Sequence, residues 1–287
     1  MTRGAIYIIT RDAVYLNLLR ASVESLKRVM PDLPVTVFSE FPADGPFNVA
    51  RIPPAPGSDG FFDKARLIAE SPYERTIFLD TDIYVAQPFD ELFTLLDRFD
   101  CAATHEEYVN SDWNNYYPRP DIPSSYPEFN TGLMVFRRSP EIISVFERWR
   151  DLYRDFLSER PGLPTNDQPF FRAAAYFGNA KIATLGREYN CKFRGQGYLN
   201  GPVKLLHGHV KFQMKRDYMD RVAGLMNRSL KPRVYVGRSV YEQYITGHLW
   251  SLRKPRKVCS FPEPLPLWKL RARGLKELLQ RKFPQYR

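Results

Sequence analysis

Three short apolar runs set the fold: residues 5–9 (AIYII), 35–38 (VTVF) and 76–79 (TIFL), separated by helical spacing or turn residues. Runs of this length without polar alternation read as strands buried on both faces, the habit of a parallel sheet covered by helices. After the first run, Leu16, Leu19, Val23 and Leu26 recur at helical spacing; Asp12 stands where a cap belongs, and Pro31 and Pro34 end the helix. Residues 41–60, rich in Pro and Gly, read as loop, and residues 65–70 as a short helix. Strand and helix alternate through the first hundred residues, which implies βαβ units: an α/β fold with a mixed, mostly parallel sheet flanked by helices.

The second half is less regular. Residues 101–104, 132–136 (GLMVF) and 203–206 (VKLL) read as strands, the last ending at His207, and residues 142–156 have helical spacing. Residues 105–129 are rich in Asn, Tyr, Pro and Ser without an apolar period, and a connection that long in a compact domain is usually functional or mobile.

A net charge of +10 suggests a nucleic-acid binder, but its distribution argues otherwise. Residues 251–287 hold 11 Lys and Arg against Glu263 and Glu277, so the tail carries +9 and the body is nearly neutral. The expected organisation is a domain over residues 1–250 and a basic appendage over 251–287, with no nucleic-acid partner. Leu267, Leu270, Leu275, Leu278 and Leu279 share one broad helical face beside Trp268, interrupted by Arg271 and Lys282. A basic amphipathic segment with Trp is expected to dock on an anionic membrane surface. No apolar run approaches the roughly 20 residues of a membrane span, and the N-terminus does not read as a secretory signal, so the expected place is cytoplasmic, peripheral on the inner face of a membrane. Cys101, Cys191 and Cys259 form no C-x-x-C pair, which supports neither a disulfide framework nor a thiolate zinc site.

Four groups of residues could carry chemistry. Asp80 and Asp82 follow the third apolar strand, and period two puts both side chains on one side. Like charges so close repel, and a divalent cation or a shared proton relieves that. One D-x-D is expected about once by chance in a chain of this composition; its place at the carboxyl end of a buried strand, where open α/β sheets bind ligands, is the stronger signal. His207-Gly208-His209-Val210-Lys211 also ends an apolar strand: an imidazole is a suitable third ligand beside two carboxylates, and Lys211 supplies a charge for phosphate. Asn130-Thr131-Gly132 leads into a strand, and Asn166-Asp167-Gln168 precedes a helix start. These amides and carboxylates serve equally as sugar-hydroxyl partners and as caps or turn formers. An apolar strand ending in D-x-D also fits a phosphatase of the haloacid dehalogenase class, which needs a later acidic pair; after Asp167 the candidates are Asp217 and Asp220.

Taken in order, these segments resemble the nucleotide-sugar glycosyltransferases of the GT-A (Rossmann-like) fold, closest to glycosyltransferase family 8, the glycogenin-like group. YIITRDAVY is similar to the family's first strand and nucleotide-binding turn, and FFDKARL lies where the family has a basic residue. IFLDTDIYV resembles its D-x-D strand, FNTGLMVF its F-N-S-G strand, NDQPFF its D-Q element and LLHGHVKF its H-x-x-G-x-x-K-P-W segment. The resemblance spans about residues 5–212.

The resemblance implies a metal-dependent transferase that moves a hexose, with UDP the expected carrier, to a hydroxyl acceptor with retention of configuration; a lipid-linked or surface glycan is the expected acceptor. Thr10 and Tyr15 would hold base and ribose. Lys64 would contact the diphosphate or the donor sugar, and Lys211 the diphosphate. Asp80, Asp82 and His207 would bind Mn2+ or Mg2+. Asn130 and Gly132 would line the sugar pocket, and Asp167 and Gln168 would lie beside the transferred sugar as the catalytic pair. The family separates its His and Gly by two residues, whereas Gly208 follows His207 directly, so His207 and His209 both stand as ligand candidates.

Overall fold

The computed structural model describes residues 1–53, 59–106, 117–163, 166–208, 215–237, 239–242 and 256–260. The chain begins with β1 (Arg3–Ile9), α1 (Tyr15–Val29), β2 (Val35–Ser39) and β3 (Asn48–Arg51). It continues through α2 (Gly60–Leu67), β4 (Arg75–Leu79), β5 (Ile83–Val85), α3 (Glu91–Leu95), β6 (Cys101–His105) and β7 (Phe129–Arg137). Then follow α4 (Pro140–Glu159), α5 (Gln168–Tyr176), β8 (Ile182–Leu185), β9 (Gln196–Leu199), β10 (Leu205–His207) and α6 (Arg216–Met226). The last described strands are β11 (Arg233–Val236), β12 (Ser239–Glu242) and β13 (Arg256–Ser260).

Seven strands form the main sheet in the order β3-β2-β1-β4-β7-β6-β8. β1 pairs in parallel with β2 and β4, β2 with β3 and β6 with β8, while β7 runs antiparallel to β4 and β6. Alternate residues feed two separate cores, so both faces are covered. Ala5, Tyr7, Ile9, Ile77, Leu79, Leu133 and Val135 join the core under α1. Ile6, Phe78, Met134 and Phe136 join Trp149, Tyr153, Phe170 and Phe171 of α4 and α5 on the other face. This two-sided burial is why the strands read as continuous apolar runs.

Several expectations change. Residues 41–60 are not all loop: β3 pairs with β2 at the sheet edge, and its Asn48 and Arg51 are exposed, so it carries no apolar signature. The helix read over 65–70 starts earlier, because the Asp59 side chain accepts the Phe62 N–H and caps α2, and residues 68–70 are a 3-10 turn. Asp12 does not cap α1; its carboxylate accepts the Val14 N–H and closes a tight turn before the helix. Strand β7 begins three residues before Gly132, and β5 and β8 were not visible as strands at all.

Two features aim residues at one end of the sheet. Between Ala103 and Thr104 the β6 register on β7 jumps from Met134 to Asn130, so Thr131, Gly132 and Leu133 bulge beside the end of β4. A small antiparallel ladder of β10 on β5 sets His207 opposite Ile83, next to Asp82. A third, four-stranded sheet, β13-β12-β11-β9, packs with α6 around Met219, Val222 and Tyr235. Strand β13 lies within the stretch read as the basic appendage; the amphipathic segment beyond it falls outside the described residues.

Candidate active site

Asp80, Asp82 and His207 converge where β4 ends, and each offers a ligand atom within 4.8 Å of the others. His207 Nε2 lies 3.4 Å from Asp82 Oδ1. The neighbouring backbone holds the cluster: Asp80 N–H donates to the Gly132 carbonyl at 2.8 Å and His207 N–H to the Cys191 carbonyl at 2.9 Å.

Gly132 is part of the cradle. A Cβ there would stand 2.5 Å from His207 Cε1 and 3.0 Å from both Asp80 Oδ2 and Asn130 Oδ1. Only a residue without a side chain lets imidazole and carboxylate meet over this strand. Gly132→Ala is therefore expected to cost about 1–3 kcal/mol of stability and to weaken divalent-cation binding together. Thermal unfolding with and without Mn2+ checks this; cation binding equal to wild type would show that the close approach is unimportant.

Lys64 of α2 reaches into the same cluster. Its Nζ lies 3.3 Å from Asp80 Oδ1 and 3.3 Å from Asp167 Oδ2, and donates to Thr131 Oγ1 at 3.2 Å. Thr131 in turn donates to Asp167 Oδ2 at 2.6 Å. Asp167 does not cap α5 with its side chain; its carboxylate turns inward to Lys64 and Thr131. Burial opposes the charge on Lys64, but Asp167 and Asp80 outweigh it and raise its pKa. Burial raises the Asp80 pKa against the pull of Lys64, with Asp82 adding to the rise. Burial also opposes a charged His207, but Asp82 and Asp80 outweigh it and raise its pKa.

A second layer of buried polar groups adjoins the cluster. Gln168 Oε1 accepts from Asn130 Nδ2 at 3.0 Å, and its Nε2 donates to Glu106 Oε2 at 3.0 Å and Glu128 Oε1 at 3.1 Å. Lys192 pairs with Glu106 at 2.6 Å. The Glu128 carboxyl is pushed up from 4.5 to about 7, first by burial and further by Glu106, against the Gln168 hydrogen bond. A carboxyl raised in the folded state favours folding at low pH, and that contribution is lost as pH rises from about 4.5 through 7. Glu128→Gln is expected to remove this dependence and to exceed wild-type stability at pH 8 by up to about 3 kcal/mol. Denaturant unfolding at pH 5 and pH 8 checks it; parallel behaviour of the two proteins would contradict it.

The other sequence candidates are distributed as follows. Thr10, at the end of β1, is buried, with its Oγ1 beside Gly60 of α2. Arg11, next to it, is the one non-glycine residue with a left-handed backbone among the described residues, at φ 70°. Tyr15 is 44% exposed, and its hydroxyl feels burial, Asp12, Asp82 and Asp80, which raise its pKa. Lys211 and His209 lie outside the described residues. Asp220, one of the later acids a phosphatase would need, is engaged by Arg28 and by the Tyr84 hydroxyl instead. Asn190, Glu106, Glu128 and Lys192 were missed in the sequence, where no local pattern marks them.

The donor set fits a divalent cation. Two carboxylates and an imidazole nitrogen suit Mn2+, and the oxygens suit Mg2+.

No protein-family profile and no curated protein matches the chain. Among solved structures, it is similar to galactosyltransferase LgtC in complex with donor and acceptor sugar analogues. That match has 11% identity and a TM-score of 0.51 and covers 78% of this chain and 94% of the other. It is also similar to mouse xyloside xylosyltransferase 1, at 16% identity and a TM-score of 0.50, over 75% of this chain and 100% of that one. The chain therefore has the GT-A fold that these glycosyltransferases share.

Proposed function

We propose that the protein is a metal-dependent glycosyltransferase that moves a hexose from a nucleoside diphosphate sugar, UDP-linked, to a hydroxyl acceptor. The observation that carries this reading is the convergence of Asp80, Asp82 and His207, from two distant parts of the chain, at the carboxyl end of β4. Open α/β sheets bind ligands at that end.

The reaction breaks the bond from the anomeric carbon to the diphosphate, so negative charge grows on the leaving group. A bound divalent cation would supply Lewis-acid stabilisation of that charge. Lys64 and Lys211 would hold the diphosphate and add positive charge where the negative charge develops. Thr10 and Tyr15 would hold base and ribose in the turn after β1. The sugar gains oxocarbenium character, and the Asp167 carboxylate and the Gln168 amide oxygen would stabilise it. The Gln168 amide is held by its Nε2 hydrogen bonds to Glu106 and Glu128, and its oxygen accepts from Asn130. The acceptor hydroxyl would enter from the side of residues 105–129, with retention of configuration.

The acceptor we favour is a lipid-linked or surface glycan, met at the cytoplasmic face of a membrane through the basic tail. No helix among the described residues is long and apolar enough to cross a membrane. Co-sedimentation with anionic vesicles tests the docking; unchanged binding after Arg271, Arg273 and Lys276 are replaced by Glu would remove it. The transferase reading is tested by thermal shift against UDP-, GDP- and ADP-sugars with and without Mn2+. Stabilisation by UDP-sugars only with the metal is expected; no stabilisation by any nucleotide sugar would overturn it.

A further inference from the structure

The geometry points to an Asn130–Asn190 relay that fixes the tautomer of His207, so that Nε2 is the nitrogen presented to a cation. This inference rests on the proposed metal centre but concerns the chain's own hydrogen bonds, which exist before any ion arrives.

The assignment runs outward from one unambiguous donor. The Gly132 backbone N–H donates to Asn130 at 3.0 Å, so the Asn130 atom it meets is the oxygen, Oδ1. The other end of that amide must be the nitrogen, and it does face acceptors: Glu106 Oε2 at 2.8 Å and Gln168 Oε1 at 3.0 Å. Asn190 approaches the same Asn130 Oδ1 at 2.7 Å and must therefore present its own nitrogen, whose second hydrogen goes to Thr104 Oγ1 at 3.0 Å. That orientation turns Asn190 Oδ1 to His207 Nδ1, at 2.7 Å. An amide oxygen cannot donate, so Nδ1 must carry the proton. In the neutral imidazole the lone pair then sits on Nε2, the nitrogen directed at Asp82.

Each link is buried. Asn130 is 3% exposed and Asn190 1%. Both hydrogens of the Asn130 amide and both lone pairs of its oxygen are taken by protein groups. Asn130 thus acts in this relay as a positioning residue. The backbone puts Asn190 in range: Cys191 bridges to Leu206 and accepts the His207 N–H, so residue 190 stands beside the end of β10. Partners that hold the second nitrogen of a ligating histidine typically change metal affinity 10- to 100-fold when removed.

The test reads the tautomer directly. The chain has four histidines, so long-range 1H–15N spectra of the imidazoles are tractable. At mildly alkaline pH, without metal, His207 of the wild-type protein is expected in the Nδ1–H form. An Nε2–H form there overturns the relay, whatever any variant does. Asn190→Leu, which keeps the volume but offers no oxygen, is expected to release the Nδ1–H preference and to weaken Mn2+ binding about 10- to 100-fold by calorimetry. Asn190→Asp keeps an acceptor for Nδ1–H but loses the donor to Asn130, and is expected to restore the Nδ1–H form. An Asn190→Leu protein with unchanged His207 spectra and Mn2+ affinity within about twofold of wild type overturns the proposal. A wild-type protein with the Nδ1–H form that takes up no Mn2+ overturns the metal centre and leaves the relay standing.

Discussion

Asp82→Asn is expected to lower sugar transfer about 1,000-fold, equivalent to roughly 4 kcal/mol at the transition state, while the metal-free protein folds as well as wild type or slightly better. The two halves of this expectation have one cause. Asp82 is 8% exposed, and without a cation an amide there relieves its repulsion with Asp80, which offsets the lost pairing with His207. With a cation it becomes one of three protein ligands, and an amide oxygen replaces a full negative charge. Wild-type protein at a Mn2+ concentration 100 times its dissociation constant should gain about 2.7 kcal/mol of stability, and the variant should lose most of that gain. Unfolding curves with Mn2+ and with chelator check both halves. A variant destabilised equally in both conditions would mean that Asp82 is a structural carboxylate.

The second large effect belongs to Lys64. Its side chain is 7% exposed and that of Asp167 1%, so the ion pair between them is almost wholly desolvated. Removing one partner of such a pair leaves the other charge buried alone, at a cost of about 3–5 kcal/mol. Lys64→Met is expected to lose that much in denaturant unfolding and to melt on the order of 10 °C lower. Lys64→Met/Asp167→Asn should recover the part that belongs to this pair, because neither of its charges remains, while Asp80 still lacks its lysine. A single variant within about 1 kcal/mol of wild type at neutral pH would show that Asp167 does not depend on this lysine.

What was legible in the sequence follows from what each residue answers to. β1, β2 and β4 are buried on both faces, so an uninterrupted apolar run marks each of them, and the acids after β4 are placed by that strand alone. β3, β5 and β8 are three or four residues long, and the two on the edges of the main sheet are partly exposed, so the same rule misses them. Asp167 read equally as a helix cap, and only the approach of Lys64, 103 residues away in sequence, decides that its carboxylate turns inward. Asn190 lies in a stretch with no periodicity; its value comes from a backbone bridge to Leu206 and from an amide 60 residues earlier. Glu106 and Glu128 bound the long loop as ordinary surface-type residues, and meet only because the Glu106 N–H pairs with the Glu128 carbonyl at the end of the β6–β7 ladder. Local pattern thus identifies residues whose role is set by their own strand, and fails where a role is set by register between distant strands.

The central claim is that Asp80, Asp82 and His207 grip one divalent cation that neutralises a departing diphosphate. Calorimetric titration of the full chain with UDP, in Mn2+ and then in chelator, tests it most directly. The account predicts binding in Mn2+ that weakens by roughly 100-fold or more when the metal is withdrawn. Equal UDP affinity in both conditions would contradict it.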